Sequence, residues 1–244
     1  MVSPFIPLES NPDVLNRLAS SLGLASPVSF HDVYSLDDES LLSFIPRPAL
    51  ALLLVFPISA AYEAYKDSED AARPVYEPSP DDGVIWLKQT IGNACGTYAV
   101  LHALLNAPSL TFTPSSLLAT YKHDLPPLSL PARTAYIESS TALRTQHAAV
   151  ASDGETAAPA AEDDTNLHFV AFVKTQDGVL YELDGRRKGP IERARLAEDE
   201  DVLSEKATGF VKLFMEREAS AAKEEEGSGS YLQFSLVALA PSFD

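Results

Sequence analysis

The stretch Gln89-Thr90-Ile91-Gly92-Asn93-Ala94-Cys95-Gly96-Thr97-Tyr98-Ala99-Val100-Leu101-His102-Ala103-Leu104-Leu105-Asn106 decides how this chain reads. It holds the only cysteine. Turn-prone Gly92 and Asn93 precede that cysteine, and a nearly all-apolar run follows it. Such a run is too apolar for a surface helix and fits a buried central one. Asn93 is a good N-cap type, and the run stops at Asn106, just before Pro108. Cys95 is thereby placed in the first helical turn. Unpaired N–H groups and the helix dipole favour a thiolate there.

A lone cysteine is more often a small buried hydrophobe. Three features argue for chemistry at Cys95. It opens a helix rather than sitting inside one. Gln89 lies upstream, with an amide able to donate to a developing oxyanion. A histidine and an aspartate, His168 and Asp184, fall on a hairpin downstream, the arrangement a nucleophilic cysteine needs.

The hairpin is read from Leu167 to Lys174 and Val179 to Leu183, joined through Asp177-Gly178, a strong turn pair. His168 opens its first strand, where a rigid backbone can aim the ring. Asp184 ends the partner strand and can fix the tautomer of that ring. On its own, Asp184-Gly185 would be merely a turn. Asp177 sits at the hairpin tip, away from His168, and is explained by turn chemistry. His102 shares the helix of Cys95 but lies roughly 10.5 Å along its axis, out of reach of the sulfur. It reads as a packed, hydrogen-bonding histidine. His31, His123 and His147 lie near loops or element ends, and nothing recommends them as a base.

Around these segments the pattern alternates between helix and strand. Ser10 to Leu22 reads as a helix with Pro12 in its first turn and Gly23 closing it. Val28 to Val33 reads as a short strand and Asp37 to Leu42 as a helical turn. Ala49 to Phe56 reads as a strand buried on both faces. Ala60 to Asp67 reads as helix, Arg73 to Gly83 as loop, and Trp86 as a core residue. Pro114 to Thr120 and Pro131 to Ser139 are short helical candidates. Gly185 to Pro190 is a basic turn, Asp199 to Glu218 has helical spacing, and Leu232 to Leu239 is a last buried strand. From about Ala142 to Thr165 the chain is alanine-rich and acidic. Val150 is the one large apolar residue between His147 and Asn166, so a mobile loop is expected. With no repeats and no clean boundary, 1–244 reads as a single α+β domain.

Gln89, the Asn93–Thr97 run and His102-Ala103 resemble the active-site segment of the ubiquitin carboxyl-terminal hydrolases, a family of cysteine deubiquitinases. His168-Phe169 and Leu180-Tyr181-Glu182-Leu183-Asp184-Gly185-Arg186 look like that family's second and third catalytic segments. Pro7 to Pro12, Pro46-Arg47-Pro48 with its apolar sequel, and the last strand are also family-like, in the short single-domain form. The resemblance implies a papain-like α+β fold, an antiparallel sheet flanked by helices along a knotted chain. It implies Gln89 as oxyanion donor, Cys95 as nucleophile, His168 as general base and acid, and Asp184 as orienting carboxylate. The implied reaction frees small adducts or short peptides from the C-terminal glycine of ubiquitin through a thioester, under a crossover loop at about 142–165. No cofactor and no metal are implied.

Net charge is −17, from 35 acidic against 18 basic residues. Nucleic acid and anionic membranes are poor partners for such a chain, and a basic partner suits it. The acidic runs at Glu198–Asp201 and Glu224–Glu226 are equally explained as solvated surface. The N-terminus lacks a basic region followed by an apolar core, so no secretory signal is expected. A cytoplasmic monomer is expected, with the nucleus left open. Two rival readings stand beside the hydrolase. One is a non-catalytic protein that binds and protects ubiquitin, against which the complete set of four residues argues. The other is a hydrolase for a ubiquitin-like modifier.

Overall fold

The computed structural model describes residues 3–151, 166–224 and 234–243, with backbone alone over 221–224. Eight helices appear among them: α1 (Pro12–Leu22), α2 (Glu39–Leu42), α3 (Ala60–Ala71), α4 (Cys95–Asn106), α5 (Leu117–Asp124), α6 (Leu130–Glu138), α7 (Thr141–Ala151) and α8 (Glu205–Glu224). Six strands accompany them: β1 (Val28–Asp32), β2 (Ala51–Pro57), β3 (Leu167–Lys174), β4 (Val179–Leu183), β5 (Ile191–Arg195) and β6 (Ser235–Pro241). They form one sheet in the order β1-β6-β2-β3-β4-β5, antiparallel throughout. This is the expected α+β architecture.

The apolar run in β2 is continuous because both faces of the sheet are covered. Ala51, Leu53 and Val55 pack into the core shared with α1 and α4. Leu52, Leu54 and Phe56 pack the other way, against Val211 and Phe214 of α8. Strand β3 splits its residues in the same fashion, with Phe169, Ala171 and Val173 on one side and Val170 and Phe172 on the other. Every residue of α4 after Cys95 is buried. Two of its polar members hold the preceding segment: Asn106 exchanges bonds with Ile85 N and O (2.6 and 2.9 Å), and His102 Nε2 accepts from Leu87 N (3.0 Å). The segment leading to Gln89 is thus held by helix side chains in place of a strand partner.

Three expectations are corrected and one strand is added. Asn93 is not the N-cap of α4. It takes a left-handed conformation (φ 56°), which its short polar side chain tolerates, and Ala94 caps the helix with no side-chain hydrogen bond. The loop expected from Ala142 begins instead as α7. Leu143, His147, Val150 and Ala151 recur at helical spacing and are buried, and Ser140 Oγ accepts from Leu143 N at 3.2 Å. Residues 152–165 of that loop lie outside the described residues. Strand β5 was not expected, because Ile191 alone marks it as apolar. It is an edge strand whose Arg193 pairs with Glu69 and Glu182. Helix α8 starts at Glu205, since Asp201 turns the chain by pairing with Arg47 and accepting from Ala49 N at 2.8 Å. The hairpin is as expected: Gly178 (φ 81°) donates to Thr175 O at 3.0 Å, and Asp177 Oδ1 accepts from Thr175 Oγ1.

Candidate active site

Three elements converge at the N-terminal end of α4. Cys95 is the one residue of that helix to keep partial exposure. Strand β3 runs antiparallel to β2, which sets His168 opposite Phe56 and brings Leu167 O to 3.9 Å from the Cys95 thiol. Strand β4 ends at Leu183, and the next residue, Asp184, accepts at Oδ1 from His168 Nε2–H at 2.9 Å. With Nε2 committed to Asp184, Nδ1 is the nitrogen left for Cys95. The His168 and Asp184 side chains are 2% and 1% exposed, so water does not weaken their pairing.

The electrostatics follow from burial and pairing. Burial pushes the His168 ring down, but the Asp184 charge, their hydrogen bond and Cys95 outweigh it and lift it to about 9. Burial pushes the Cys95 thiol up. The hydrogen bond and charge of His168, with the backbone N–H of Phe169 and Gly96, bring it below the ordinary thiol value. Burial likewise opposes the Asp184 charge, yet His168, Tyr62 and the Arg186 N–H hold its carboxyl far below the usual range. Each group thus favours the charged form of the other, a thiolate beside an imidazolium.

Gln89 precedes this cluster on the segment tethered by His102 and Asn106. Its backbone N–H donates to Gly185 O at 2.9 Å, tying it to the turn that carries Asp184. A Cβ on Gly185 would sit 2.7 Å from Gln89 Cβ, so glycine is what lets the two segments meet. Gln89 Nε2 reaches Ile91 O at a long 3.3 Å, and its Oε1 is buried without a partner among the described residues. Trp86 Nε1 donates to Asp184 O at 3.1 Å, and Lys88 Nζ donates to the carbonyls of Arg186 and Arg187. The Asp184 turn is therefore fixed from several sides.

The other histidines stand apart. His102 is buried, and burial lowers it to about 4, leaving it neutral. His147 departs from the expectation of a loop residue: it lies buried on α7, with Nδ1 accepting from Thr97 Oγ1 (2.7 Å) and Nε2 donating to Ile6 O (2.8 Å). His123 is exposed beside Asp124, and His31 sits against Pro241 O. Tyr62 was not expected at the site. Its hydroxyl donates to Asp184 Oδ2 at 2.6 Å. The available signal was one aromatic near the start of a polar helix, of which only Tyr62 and Asp70 are buried. Among the described residues no cluster of His, Cys, Asp or Glu has the makings of a metal site. No described helix is long and apolar enough to cross a membrane.

Comparison with known proteins gives this constellation a context. The family model "Ubiquitin carboxyl-terminal hydrolase, family 1" matches residues 5–216. A ubiquitin carboxyl-terminal hydrolase of Aplysia californica is 38% identical over 215 residues, 88% of this chain and 96% of its own. The human ubiquitin carboxyl-terminal hydrolase isozyme L1 is 38% identical over 213 residues, 87% of this chain and 92% of its own. Among solved structures, the catalytic domain of Trichinella spiralis UCH37 bound to ubiquitin vinyl methyl ester superposes with a TM-score of 0.65 at 21% identity. That match covers 98% of this chain and 95% of the other, and it shows a shared fold. A match of the family model to most of the chain, with relatives alike over nearly their whole length, places this protein among the cysteine-type hydrolases of ubiquitin carboxyl-terminal hydrolase family 1.

Proposed function

We propose that this protein is a deubiquitinating enzyme that cleaves small adducts and short peptides from the C-terminal glycine of ubiquitin. The observation that carries the reading is the buried His168–Asp184 pair set against Cys95 in the first turn of α4. The Cys95 thiolate attacks the carbonyl carbon of the terminal glycine. The oxyanion is held by the Cys95 backbone N–H and the Gln89 amide, which exchanges its long bond to Ile91 O for a charged acceptor. His168 gives its proton to the departing amine, leaving a thioester on Cys95. Water then loses a proton to His168 and attacks the thioester, freeing ubiquitin and restoring the thiolate–imidazolium pair. Asp184 keeps the His168 ring oriented through both steps. The names of the relatives and the ubiquitin ester on the structural neighbour support ubiquitin as the substrate.

Ubiquitin and ubiquitin-like proteins bearing a C-terminal electrophile test this reading. An adduct on Cys95 with ubiquitin alone is the expected result. Tight binding without an adduct would make the chain a binding protein, and an adduct only with a relative would change the substrate. The reading also takes the chain as a single catalytic domain, a cytoplasmic monomer, with a knotted path. Light scattering checks the monomer, and imaging of the tagged protein checks the compartment. Pulling the two ends apart checks the knot, which would shorten the stretched contour.

A further inference from the structure

We propose that Tyr62 is a positioning residue for this reaction: its hydroxyl locks the Asp184 carboxylate in the orientation that presents Oδ1 to His168. The proposal rests on the catalytic reading of His168 and Asp184 above. Asp184 is bonded through both oxygens. Oδ1 takes the His168 Nε2–H at 2.9 Å and the Arg186 N–H at 2.8 Å. Oδ2 takes the Tyr62 hydroxyl at 2.6 Å. The terminal torsion of an aspartate is soft, so a carboxylate held at one oxygen alone still swings. The phenol removes that freedom from the far side.

The helix that carries Tyr62 is itself anchored. Ser59 Oγ accepts from Tyr62 N at 2.9 Å and donates to Glu218. Glu63 pairs with Arg186, the neighbour of the Asp184 turn. Farther along α3, Glu69 and Asp70 pair with Arg187, and Glu69 also pairs with Arg193 of β5. The Tyr62 ring is 1% exposed and packs edge-on against Phe56 at 4.9 Å, between the sheet and Phe214. The hydroxyl is thus held on a rigid element, which is what supporting a catalytic group requires. Burial and the Asp184 charge raise the phenol well above its ordinary value, so it remains a donor at any working pH. Removing it strands one oxygen of a buried carboxylate.

The test uses ubiquitin carrying a C-terminal fluorogenic amide, with wild type, Tyr62→Phe, Asp184→Asn and the double variant. Phenylalanine keeps the ring packing. Thermal unfolding sets an assay temperature at which every variant is folded. Tyr62→Phe is expected to lower kcat about tenfold, the scale of one hydrogen bond to a charged group, with KM within about twofold. In the Asp184→Asn background the same change is expected to alter kcat by less than about twofold, because its effect runs through the carboxylate. A merely structural tyrosine would give losses that multiply. Wild-type kcat for Tyr62→Phe, or multiplying losses, overturns the proposal while leaving the catalytic reading intact. Wild-type kcat for Asp184→Asn overturns that reading, and the positioning role with it.

Discussion

His168 and His102 are 2% and 1% exposed, they lie on neighbouring packed elements, and yet their rings are driven in opposite directions, to about 9 and about 4. Burial acts on both in the same sense, against the charged ring. The difference lies in what faces the nitrogens. His102 Nε2 receives a neutral backbone N–H, so the ring stays neutral and serves as an acceptor. His168 Nε2 meets a carboxylate at 2.9 Å inside the protein, where the attraction is weakly screened and reverses the effect of burial. Seven residues past Cys95 on its own helix, His102 is the nearer histidine in sequence. It does not meet the sulfur, because helix geometry carries it away along the axis.

That contrast predicts two kinds of mutant. His168→Ala removes the proposed proton carrier and is expected to abolish measurable turnover while ubiquitin binding persists. His102→Ala strands the buried Leu87 N–H at a cost of about 1–3 kcal/mol. It is expected to lower Tm by roughly 5 °C and to leave most of kcat. Calorimetry with steady-state kinetics on both variants decides the matter. Were His102→Ala the more damaging to kcat at unchanged stability, the assignment of the base would be reversed.

Asp184→Asn takes away the one feature that separates the two rings. Its effect on kcat is expected to be smaller than that of His168→Ala, on the order of a thousandfold, because the base survives in a poorer orientation. Without the carboxylate charge, burial governs His168 as it governs His102. The alkaline limb of kcat/KM is then expected to move down from near pH 9, and an unmoved limb would break the comparison.

Gln89→Ala tests the segment that His102 tethers. Loss of an oxyanion donor typically costs about a hundredfold in kcat. A change confined to KM would make Gln89 a substrate contact instead.

The smallest effect is on stability against pH. The His168 ring is raised, so its contribution is fully present below its ordinary pKa, near 6.5, and is lost as pH rises through about 9. The His102 ring is lowered, so stability declines as pH falls from about 6.5 toward 4, where the unfolded chain takes up the proton first. Urea unfolding of wild type and His102→Ala between pH 4 and 7 is expected to show the acid-side slope shrinking in the variant.

Local pattern carried much of the fold into the sequence. The stop at Asn106, the Asp177-Gly178 turn and the double-faced apolar run of β2 are each set by residues close together in the chain, and the structure places them as read. Composition misled where tertiary packing supplied the reason for an element. Helix α7 is alanine-rich and looks unable to bury itself, but Leu143 and Val150 meet the core built by α1 and α4, and His147 finds Thr97 and Ile6. Strand β5 offers almost no apolar signal and is held by Arg193 reaching Glu69 and Glu182.

The sequence by itself determined which residue types were available for chemistry and which elements carry them: one thiol at a helix start, a histidine opening one strand, an aspartate closing the next. Only the tertiary structure decided their electrical state and their support. A pKa depends on burial and on charges a few ångströms away, and those are set by contacts between segments up to about 120 residues apart in the chain, as with Tyr62 and Asp184. That the thiol is held below its ordinary value, that one buried histidine is charged and the other neutral, and that a tyrosine from a polar helix braces the carboxylate all follow from how the sheet brings β3, β4 and α4 together.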